Sequence, residues 1–270
     1  MRLLELTAGN EREFGERVRA LEAAADYPLG NDRFRLDHGA EYFAFFRGLG
    51  RLRSYALEID GRIACVASSV LRRIRRSDGR VSNAWYLCDL KVAPEYRGRK
   101  LPARLFSRVF LPNYLRCARG FAVSMNPGDR SRNRVVGILQ RFPWVPLRPV
   151  GELVFYSWSR AEIADMAPLL DNELGEWRLR SLSGVKDLVL ASTGLPWTLY
   201  HVEGERCLGH DNGAIAAHPV DGASHMLCVP RTGVLAQKLD AAGCRAAATA
   251  TIIAHRMKGA DWGTLASSEI

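Results

Sequence analysis

One stretch decides the fold, and it reads Trp85-Tyr86-Leu87-Cys88-Asp89-Leu90-Lys91-Val92-Ala93-Pro94-Glu95-Tyr96-Arg97-Gly98-Arg99-Lys100-Leu101-Pro102-Ala103-Arg104-Leu105. The pattern predicts a strand that runs into a short basic loop, which opens directly into an amphipathic helix. The first N–H groups of a helix lack intrahelical partners, and the helix dipole adds about half a positive charge there. With basic side chains around it, this helix start predicts a site for a phosphate or pyrophosphate.

The flanking segments predict the element order ααβββαβαββ. The helices are predicted at 10–25, 39–48, 102–117 and 131–141, and the strands at 53–59, 63–74, 81–92, 121–125, 145–150 and 153–158. A helix between strands 81–92 and 121–125 indicates that these two strands are parallel and joined by a right-handed crossover. The expected fold is therefore mixed α/β, of the α+β type.

The signals are weaker beyond residue 160. Strands are predicted at 185–191, 197–202, 225–229 and 246–254, and a helix at 232–242. We expect residues 1–160 to form one domain. Residues 161–270 form either a smaller α/β domain or an extension of the first sheet, and the sequence does not decide between them.

The composition is that of a globular protein, with 47% hydrophobic and 25% charged residues in 270. No apolar run reaches the roughly 18 residues that a membrane helix needs, and the first residues do not resemble a signal peptide. We therefore expect a cytoplasmic protein. The six cysteines are scattered without a CxxC pair or a zinc spacing, which predicts free thiols and no metal site.

The net charge of +9 is unevenly distributed: residues 1–160 hold 29 basic and 16 acidic side chains, whereas the rest hold 9 and 13. A basic half attracts polyanions such as nucleic acid, coenzyme A or an acidic carrier protein, although it is also compatible with an ordinary solvated face. No nucleic-acid-binding motif accompanies the charge. Arg72, Arg73, Arg75 and Arg76 beside the turn at 77–80 predict either a docking surface for an acidic partner or a solvated strand end.

The deciding stretch resembles the GNAT superfamily, whose hallmark is L-x-V-x-P-x-x-R-G-x-G-x-G/A leading into a helix. Leu90-Lys91-Val92-Ala93-Pro94-Glu95-Tyr96-Arg97-Gly98-Arg99 fits that form. The resemblance spans about residues 10–158, because the element order also matches. It includes Asn133 and Arg141-Phe142-Pro143-Trp144, which are similar to the family's asparagine-bearing helix and the turn that follows it.

The resemblance implies an N-acyltransferase that moves an acyl group from an acyl-CoA co-substrate to a small-molecule or peptide amine. Main-chain groups of Leu90, Lys91 and Val92 would pair with the pantetheine arm, and Asn133 would lie near the cofactor. The pyrophosphate would lie in the loop formed by Arg97, Gly98, Arg99, Lys100, Leu101 and Pro102.

Two departures alter this loop. Lys100 replaces the family's second loop glycine, and Pro102, which has no N–H, replaces a glycine or alanine. They suggest an alternative donor, the acyl-phosphopantetheine of an acyl-carrier protein. A third hypothesis is a GNAT-fold module that binds an acidic partner without catalysis.

Aminolysis of a thioester needs a group that removes a proton from the amine. Asp89 is the candidate base, because burial raises the pKa of a carboxylate. The alternative is an ion pair with Arg72 or Arg73. The tyrosine that many relatives use as general acid is absent, so Tyr86 and Tyr156 are its candidate substitutes, although each also fits a core position.

Three further features of the sequence bear on the predicted site. Cys88 is interpreted as a buried structural thiol. Tyr42, Phe45 and Phe46 share a helical face and either line an acyl chain or pack in the core. Residues 161–270 cover the acceptor cleft, mediate a homodimer or only extend the fold, and the acceptor and the acyl length stay open.

Overall fold

The computed structural model describes residues 1–23, 27–29, 32–128, 133–141 and 145–270. The strands are β1 (Arg2–Glu5), β2 (Tyr27–Leu29), β3 (Asp32–Asp37), β4 (Arg51–Ile59), β5 (Arg62–Arg75), β6 (Val81–Val92), β7 (Gly120–Met125), β8 (Arg148–Trp158), β9 (Trp177–Ser181), β10 (Asp187–Leu190), β11 (Leu199–Gly204), β12 (Ala214–Ala216), β13 (Ser224–Pro230) and β14 (Ala248–His255). The helices are α1 (Glu11–Glu22), α2 (Ala44–Leu49), α3 (Leu101–Arg116), α4 (Arg134–Arg141), α5 (Arg160–Leu174) and α6 (Val234–Ala241).

The described strands form one large mixed sheet in the order β1-β4-β5-β6-β7-β14-β8-β13-β11-β9-β12, beside a small sheet β10-β3-β2. This confirms the predicted mixed α/β fold. The β6 and β7 strands are parallel, as expected, with α3 as their connection. The other neighbours of the central strands are antiparallel, so the sheet is mixed at its centre.

Helices cover both faces of the large sheet. The core on one face joins Phe14 and Val18 of α1 and Phe45 of α2 to β5, β6 and β7. On the other face, Leu101 and Leu105 of α3 pack against β4 and β5, while α5 and α6 pack against β8 and β13. Among the described residues, no helix combines the length and the apolar character that crossing a membrane requires.

The segment after residue 160 continues the same sheet. The β14 strand lies between β7 and β8 and pairs with both, although the whole of 159–247 separates it from β8 along the chain. The β13, β11 and β9 strands follow beyond β8. Residues 161–270 thus supply strands to the centre and to one edge of the sheet that residues 1–160 begin.

Several sequence expectations need correction. The two strands predicted at 145–150 and 153–158 are one strand, β8, because a bulge between Pro149 and Gly151 keeps both residues within the pairing to β14. The helix α5 and the strands β1, β2, β3, β9 and β12 were not predicted. Ends of the helices expected at 10–25 and 131–141, and the turn at 142–144, fall on residues outside the described ranges.

Candidate active site

A β-bulge interrupts β6 close to its end. The pairing with β5 joins Cys88 to Ser68 and Lys91 to Val66, so β6 holds one residue more than β5 in this interval. Asp89 in this interval has a φ of 55°, in the left-handed region that non-glycine residues rarely occupy. Bulges re-aim side chains and occur often beside active sites. Here the bulge turns the Lys91 side chain toward the face that α1 covers.

The β6 and β7 strands separate just before this bulge. Their pairing comprises Trp85 with Gly120 and Tyr86 with Phe121. The rest of β7 pairs, among the described strands, only with β14 on its other side. The second half of β6 therefore has β5 on one side and an opening toward β7 on the other. Half of the Leu90 side chain is exposed there. The pairing of Leu90, Lys91 and Val92 with a pantetheine arm stays a prediction at this opening.

The loop after β6 leads into α3 through two left-handed residues. Gly98 has a φ of 79° and Lys100 a φ of 57°, and Lys100 precedes the first residue of the helix. No side chain caps this helix start, and Pro102 contributes no N–H. The N–H groups of the first turn thus have no capping side chain in the described part of the chain, and the phosphate site at this position stays a prediction.

Basic side chains surround this helix start without neutralising partners. Arg97, Arg99, Lys100 and Arg104 are exposed, and none forms an ion pair with a carboxylate of the described residues. Arg99 lies over the ring of Tyr96, with its guanidinium carbon 5.1 Å from the ring centroid. Lys100 points to solvent rather than into the loop, because its side chain is exposed. It adds a positive charge at the position where the GNAT pattern has a glycine.

A buried polar cluster lies behind the bulge. We call it the Lys91 cluster, and its members are Glu22, His38, Tyr42, Asp89 and Lys91. The Lys91 Nζ atom contacts Asp89 Oδ1 and lies 2.9 Å from Glu22 Oε1 and 2.9 Å from Tyr42 Oη. The Tyr42 hydroxyl donates to Asp89 Oδ1 at 2.9 Å, and His38 Nε2 lies 3.4 Å from Glu22 Oε2.

Burial sets the charges of this cluster. It lowers the pKa of His38 well below its usual value, so that the imidazole is neutral at physiological pH. It also lowers the pKa of Lys91, against the opposing effect of the Glu22 carboxylate. It raises the pKa of the Tyr42 hydroxyl well above its usual range. The cluster thus holds one ammonium between two carboxyl groups, all on side chains that are almost fully buried.

The same position has the spacing of a metal site. Ligand atoms of Glu22, His38 and Asp89 lie within 4.8 Å of one another. The ammonium of Lys91 lies among them, in contact with Asp89 and 2.9 Å from Glu22. It supplies the positive charge that the carboxylates require, so this cluster does not call for a metal ion.

The structure assigns Asp89 a different ion partner from the one considered in the sequence. Lys91 pairs with it, while Arg72 forms a buried pair with Glu269. Among the described residues, the other carboxylate oxygen of Asp89, Oδ2, accepts a single hydrogen bond, from Ser68 Oγ at 3.4 Å. Asp89 therefore has one oxygen fixed by its neighbours and one with capacity to accept a proton.

The two candidate tyrosines lie on opposite faces of the sheet. Tyr86 is buried with α1 and α2, stacked on Phe121 at 5.0 Å, and burial raises the pKa of its hydroxyl well above the usual range. Tyr156 packs with α5 and α6 and donates to Asp240 at 2.8 Å. Three strand spacings, about 14 Å, separate β8 from β6. The structure does not bring Tyr156 to the cleft.

Asn133 lies directly before α4, and Cys88 lies within β6. Asn133 Oδ1 accepts from the backbone N–H groups of Val135 and Val136, which caps α4, and its Nδ2 donates to Ser124 O and Asn126 Oδ1 at the end of β7. Its polar atoms are thus committed to the protein. Burial raises the pKa of Cys88 to about 12, which leaves no thiolate at neutral pH.

Sequence reasoning missed Glu22 and His38. Glu22 is the last residue of α1 and His38 follows β3, so neither lies near the motif in sequence. A glutamate at the end of a helix, on the same side as the buried Val18, was the available signal. Tyr42, Phe45 and Phe46 are all buried, as the core interpretation of these aromatics expects.

Comparison with known proteins finds partial similarity to solved structures. No family model and no curated protein matches the chain. It is similar to a GCN5-related N-acetyltransferase from Anabaena variabilis, with 9% identity, a TM-score of 0.48, and 94% of this chain and 72% of that one covered. It is also similar to a GCN5-related N-acetyltransferase from Sphaerobacter thermophilus, with 14% identity, a TM-score of 0.44 and coverage of 93% and 95%.

A third similar structure contains a ligand. It is a GNAT family acetyltransferase from Elizabethkingia anophelis with acetyl-CoA bound, with 10% identity, a TM-score of 0.35, and coverage of 70% of this chain and 94% of that one. At these identities the matches carry nothing about the substrate of this chain. The chain has a mixed α/β fold, and its relation to the GNAT superfamily stays what the resemblance in its sequence implies.

Proposed function

We propose that the chain is an N-acyltransferase that transfers an acyl group from an acyl-CoA thioester to an amine. The observation that carries the proposal is the opening between β6 and β7 beside the exposed basic loop that starts α3. A pantetheine arm is long, polar at its amides and attached to a pyrophosphate. The unpaired edge of β6 matches the length and the amides of the arm. The positively charged start of α3, at the end of that edge, matches the pyrophosphate.

The end of β6 and the loop after it would supply the groups that bind the acyl-CoA. Main-chain groups of Leu90, Lys91 and Val92 would pair with the amides of the arm. The N–H groups of Leu101 and Ala103 would donate to the pyrophosphate, together with the side chains of Arg97, Arg99 and Lys100. The absence of an N–H at Pro102 removes one donor, and the Lys100 ammonium supplies charge in its place.

The reaction joins the amine nitrogen to the thioester carbonyl carbon and breaks the carbon–sulfur bond. One proton leaves the amine, and the coenzyme A thiolate departs with the bonding electron pair. We assign proton acceptance to Asp89 Oδ2, the oxygen with spare capacity. The buried Tyr86 hydroxyl is a poor acid, because burial raises its pKa. A thiolate is a weak base and can leave before water protonates it.

The Lys91 cluster would hold this base in place. Lys91 and Tyr42 both bind Asp89 Oδ1, which leaves Oδ2 on the opposite side of the carboxylate. The same lysine contributes its main chain to the strand edge that faces the thioester. The side chain of Lys91 thus links the position of the base to that of the donor.

The test measures release of free thiol from acetyl-CoA and longer acyl-CoAs with a library of amines, together with CoA affinity. Asp89→Asn should lower turnover by about 10²- to 10⁴-fold while CoA affinity changes little, because the substituted group lies behind the bulge. Asp240→Asn, which alters a carboxylate on the other face of the sheet, is the matched control and should keep full activity. Unchanged turnover in Asp89→Asn would remove Asp89 from the mechanism.

The donor class is tested by the same assay. Turnover with acyl-carrier protein but not with acyl-CoA would show that the altered loop selects a carrier-bound phosphopantetheine. Binding of CoA without thiol release for any amine would favour a module that binds but does not catalyse. No response to either donor would refute the proposed function.

A further inference from the structure

A cavity among the described residues lies at the other end of β6 from the loop that opens α3. Its volume is 740 Å³, and it lies between the start of β6, the end of α3 and the segment that precedes β7. The helix α3 spans 16 residues, which corresponds to about 24 Å between its two ends. A ligand in this cavity is therefore separate from a pyrophosphate at the loop.

Four arginines from four different segments line this cavity, which we call the arginine pocket. They are Arg73 of β5, Arg116 at the end of α3, Arg119 before β7 and Arg256 after β14. The lining contains no aspartate or glutamate. The pocket thus concentrates about four positive charges. The tertiary fold brings them together, because Arg73, Arg256 and the neighbouring Arg116 and Arg119 come from three distant parts of the sequence.

None of these four guanidinium groups forms an ion pair with a carboxylate in the part of the chain that the structure describes. Neighbouring arginines on β5 and in the turn after it behave differently, since Arg72 pairs with Glu269 and Arg76 with Asp78. Arg73, which lies between these two on the chain and lines the pocket, has no such partner among the described residues. Like charges at short range repel one another, and a bound anion relieves that repulsion.

The pocket has further features of a binding site. The Arg256 guanidinium carbon lies 5.7 Å from the centroid of the Tyr114 ring, which restricts its position through a cation–π contact. Arg256 also has a left-handed φ of 53°, an uncommon conformation for arginine. Ser82 and Asn83 add neutral hydrogen-bonding groups to the lining.

A second cavity of 370 Å³ continues the first and shares Arg73 and Asn83 with it. It reaches Arg72, which is 6% exposed. In the described part of the chain, Nε and Nη1 of Arg72 have no hydrogen-bond partner. Buried donors of this kind are rare in folded proteins, and a ligand oxygen would satisfy them.

We propose that the arginine pocket binds a small polyanion that carries at least two phosphate groups. The planar guanidinium matches a phosphate with two parallel hydrogen bonds, and four guanidinium groups balance about two doubly charged phosphates. The volume is typical of sites for molecules of nucleotide size. This binding is additional to acyl transfer and does not depend on it.

The experiment measures binding of inorganic triphosphate and of ATP by calorimetry, each against the full chain and a set of variants. Arg73→Gln and Arg116→Gln should each weaken binding about tenfold or more, because each removes charge-assisted hydrogen bonds to a phosphate. Both side chains are exposed, so these variants should fold, and circular dichroism checks that they do. Arg245→Gln, an exposed arginine after α6, is the matched control and should bind like the unmodified chain.

A further variant separates the pocket from the loop. Arg97→Gln should leave triphosphate binding at the pocket unchanged. Binding that Arg97→Gln abolishes and Arg73→Gln does not would place the anion at the loop and overturn the proposal. The absence of saturable binding by both probes would also overturn it, as would an equal loss in Arg245→Gln. Binding of a single-stranded RNA oligonucleotide in place of both probes would show that the pocket belongs to a nucleic-acid surface instead.

Discussion

Removal of the Lys91 ammonium is the sharpest perturbation of the site. In Lys91→Met the carboxylates of Glu22 and Asp89 remain buried together without a positive charge; in the intact protein the side chains of all three are at most 7% exposed. Removing one partner of a buried ion pair destabilises a protein by about 3–5 kcal/mol. We expect a loss in this range at pH 7, which urea unfolding followed by circular dichroism measures.

The effect should depend on pH in a defined direction. Without Lys91, the pKa of at least one of the two carboxyls rises above its unfolded value, because two buried carboxylates disfavour each other's charge. A group whose folded pKa is raised stabilises the fold at low pH and loses that stabilisation as the pH rises. The difference between Lys91→Met and the unmodified chain should therefore shrink from pH 7 to pH 5.

Two further variants control this experiment. Adding Glu22→Gln and Asp89→Asn to Lys91→Met should recover most of the lost stability, since no buried charge then remains. Lys238→Met removes an exposed ion pair with Glu173 and should cost about 1 kcal/mol or less. A Lys91→Met variant no less stable than Lys238→Met would refute the account of the buried cluster.

Three other outcomes follow from the structure. Lys100→Gly should stabilise the fold by about 1 kcal/mol, because glycine adopts the left-handed φ of 57° more readily, yet it should weaken CoA binding by removing a cation. Tyr156→Phe removes the hydrogen bond to Asp240, costs about 1 kcal/mol in unfolding free energy and leaves thiol release unchanged. His38→Phe should flatten the pH dependence of the unfolding free energy below pH 6.5. Folding lowers the pKa of His38, so the stability that the neutral imidazole contributes is complete above the unfolded pKa of 6.5. That stability is lost as the pH falls below this value.

Each of these outcomes has a contrary result. An unchanged CoA affinity in Lys100→Gly would contradict the assignment of the loop as the pyrophosphate site. Loss of turnover in Tyr156→Phe would show that this tyrosine acts in catalysis despite its place on β8. An unaltered slope of stability against pH in His38→Phe would show that the imidazole is not neutral in the folded protein.

The elements around the motif could be predicted because their signals are local. The alternation in β4 to β6, the turn residues between them and the helical spacing of α3 lie within short windows of sequence. The capping box formed by Ser159 and Glu162 at the start of α5 was also available, since Ser159 Oγ accepts from Glu162 N and the Glu162 carboxylate accepts from Ser159 N. That helix was missed although its signal was local.

Other features depend on contacts that no local pattern contains. The position of β14 between β7 and β8 is fixed by pairing across the sheet, and the bulge that merges the two expected strands into β8 is set by that same pairing. The Lys91 cluster joins the end of α1, the residue after β3 and the bulge in β6. The motif therefore indicated the place of the site, whereas the partners of Asp89 emerged only from the tertiary structure.

Hydrogen exchange measured by mass spectrometry, with and without acetyl-CoA, tests the central claim most directly. The ligand should slow exchange in peptides that cover residues 87–105, where the strand edge and the helix start gain hydrogen bonds. Saturating acetyl-CoA that protects no peptide in 87–105 would contradict the assignment of this cleft as the acyl-CoA site.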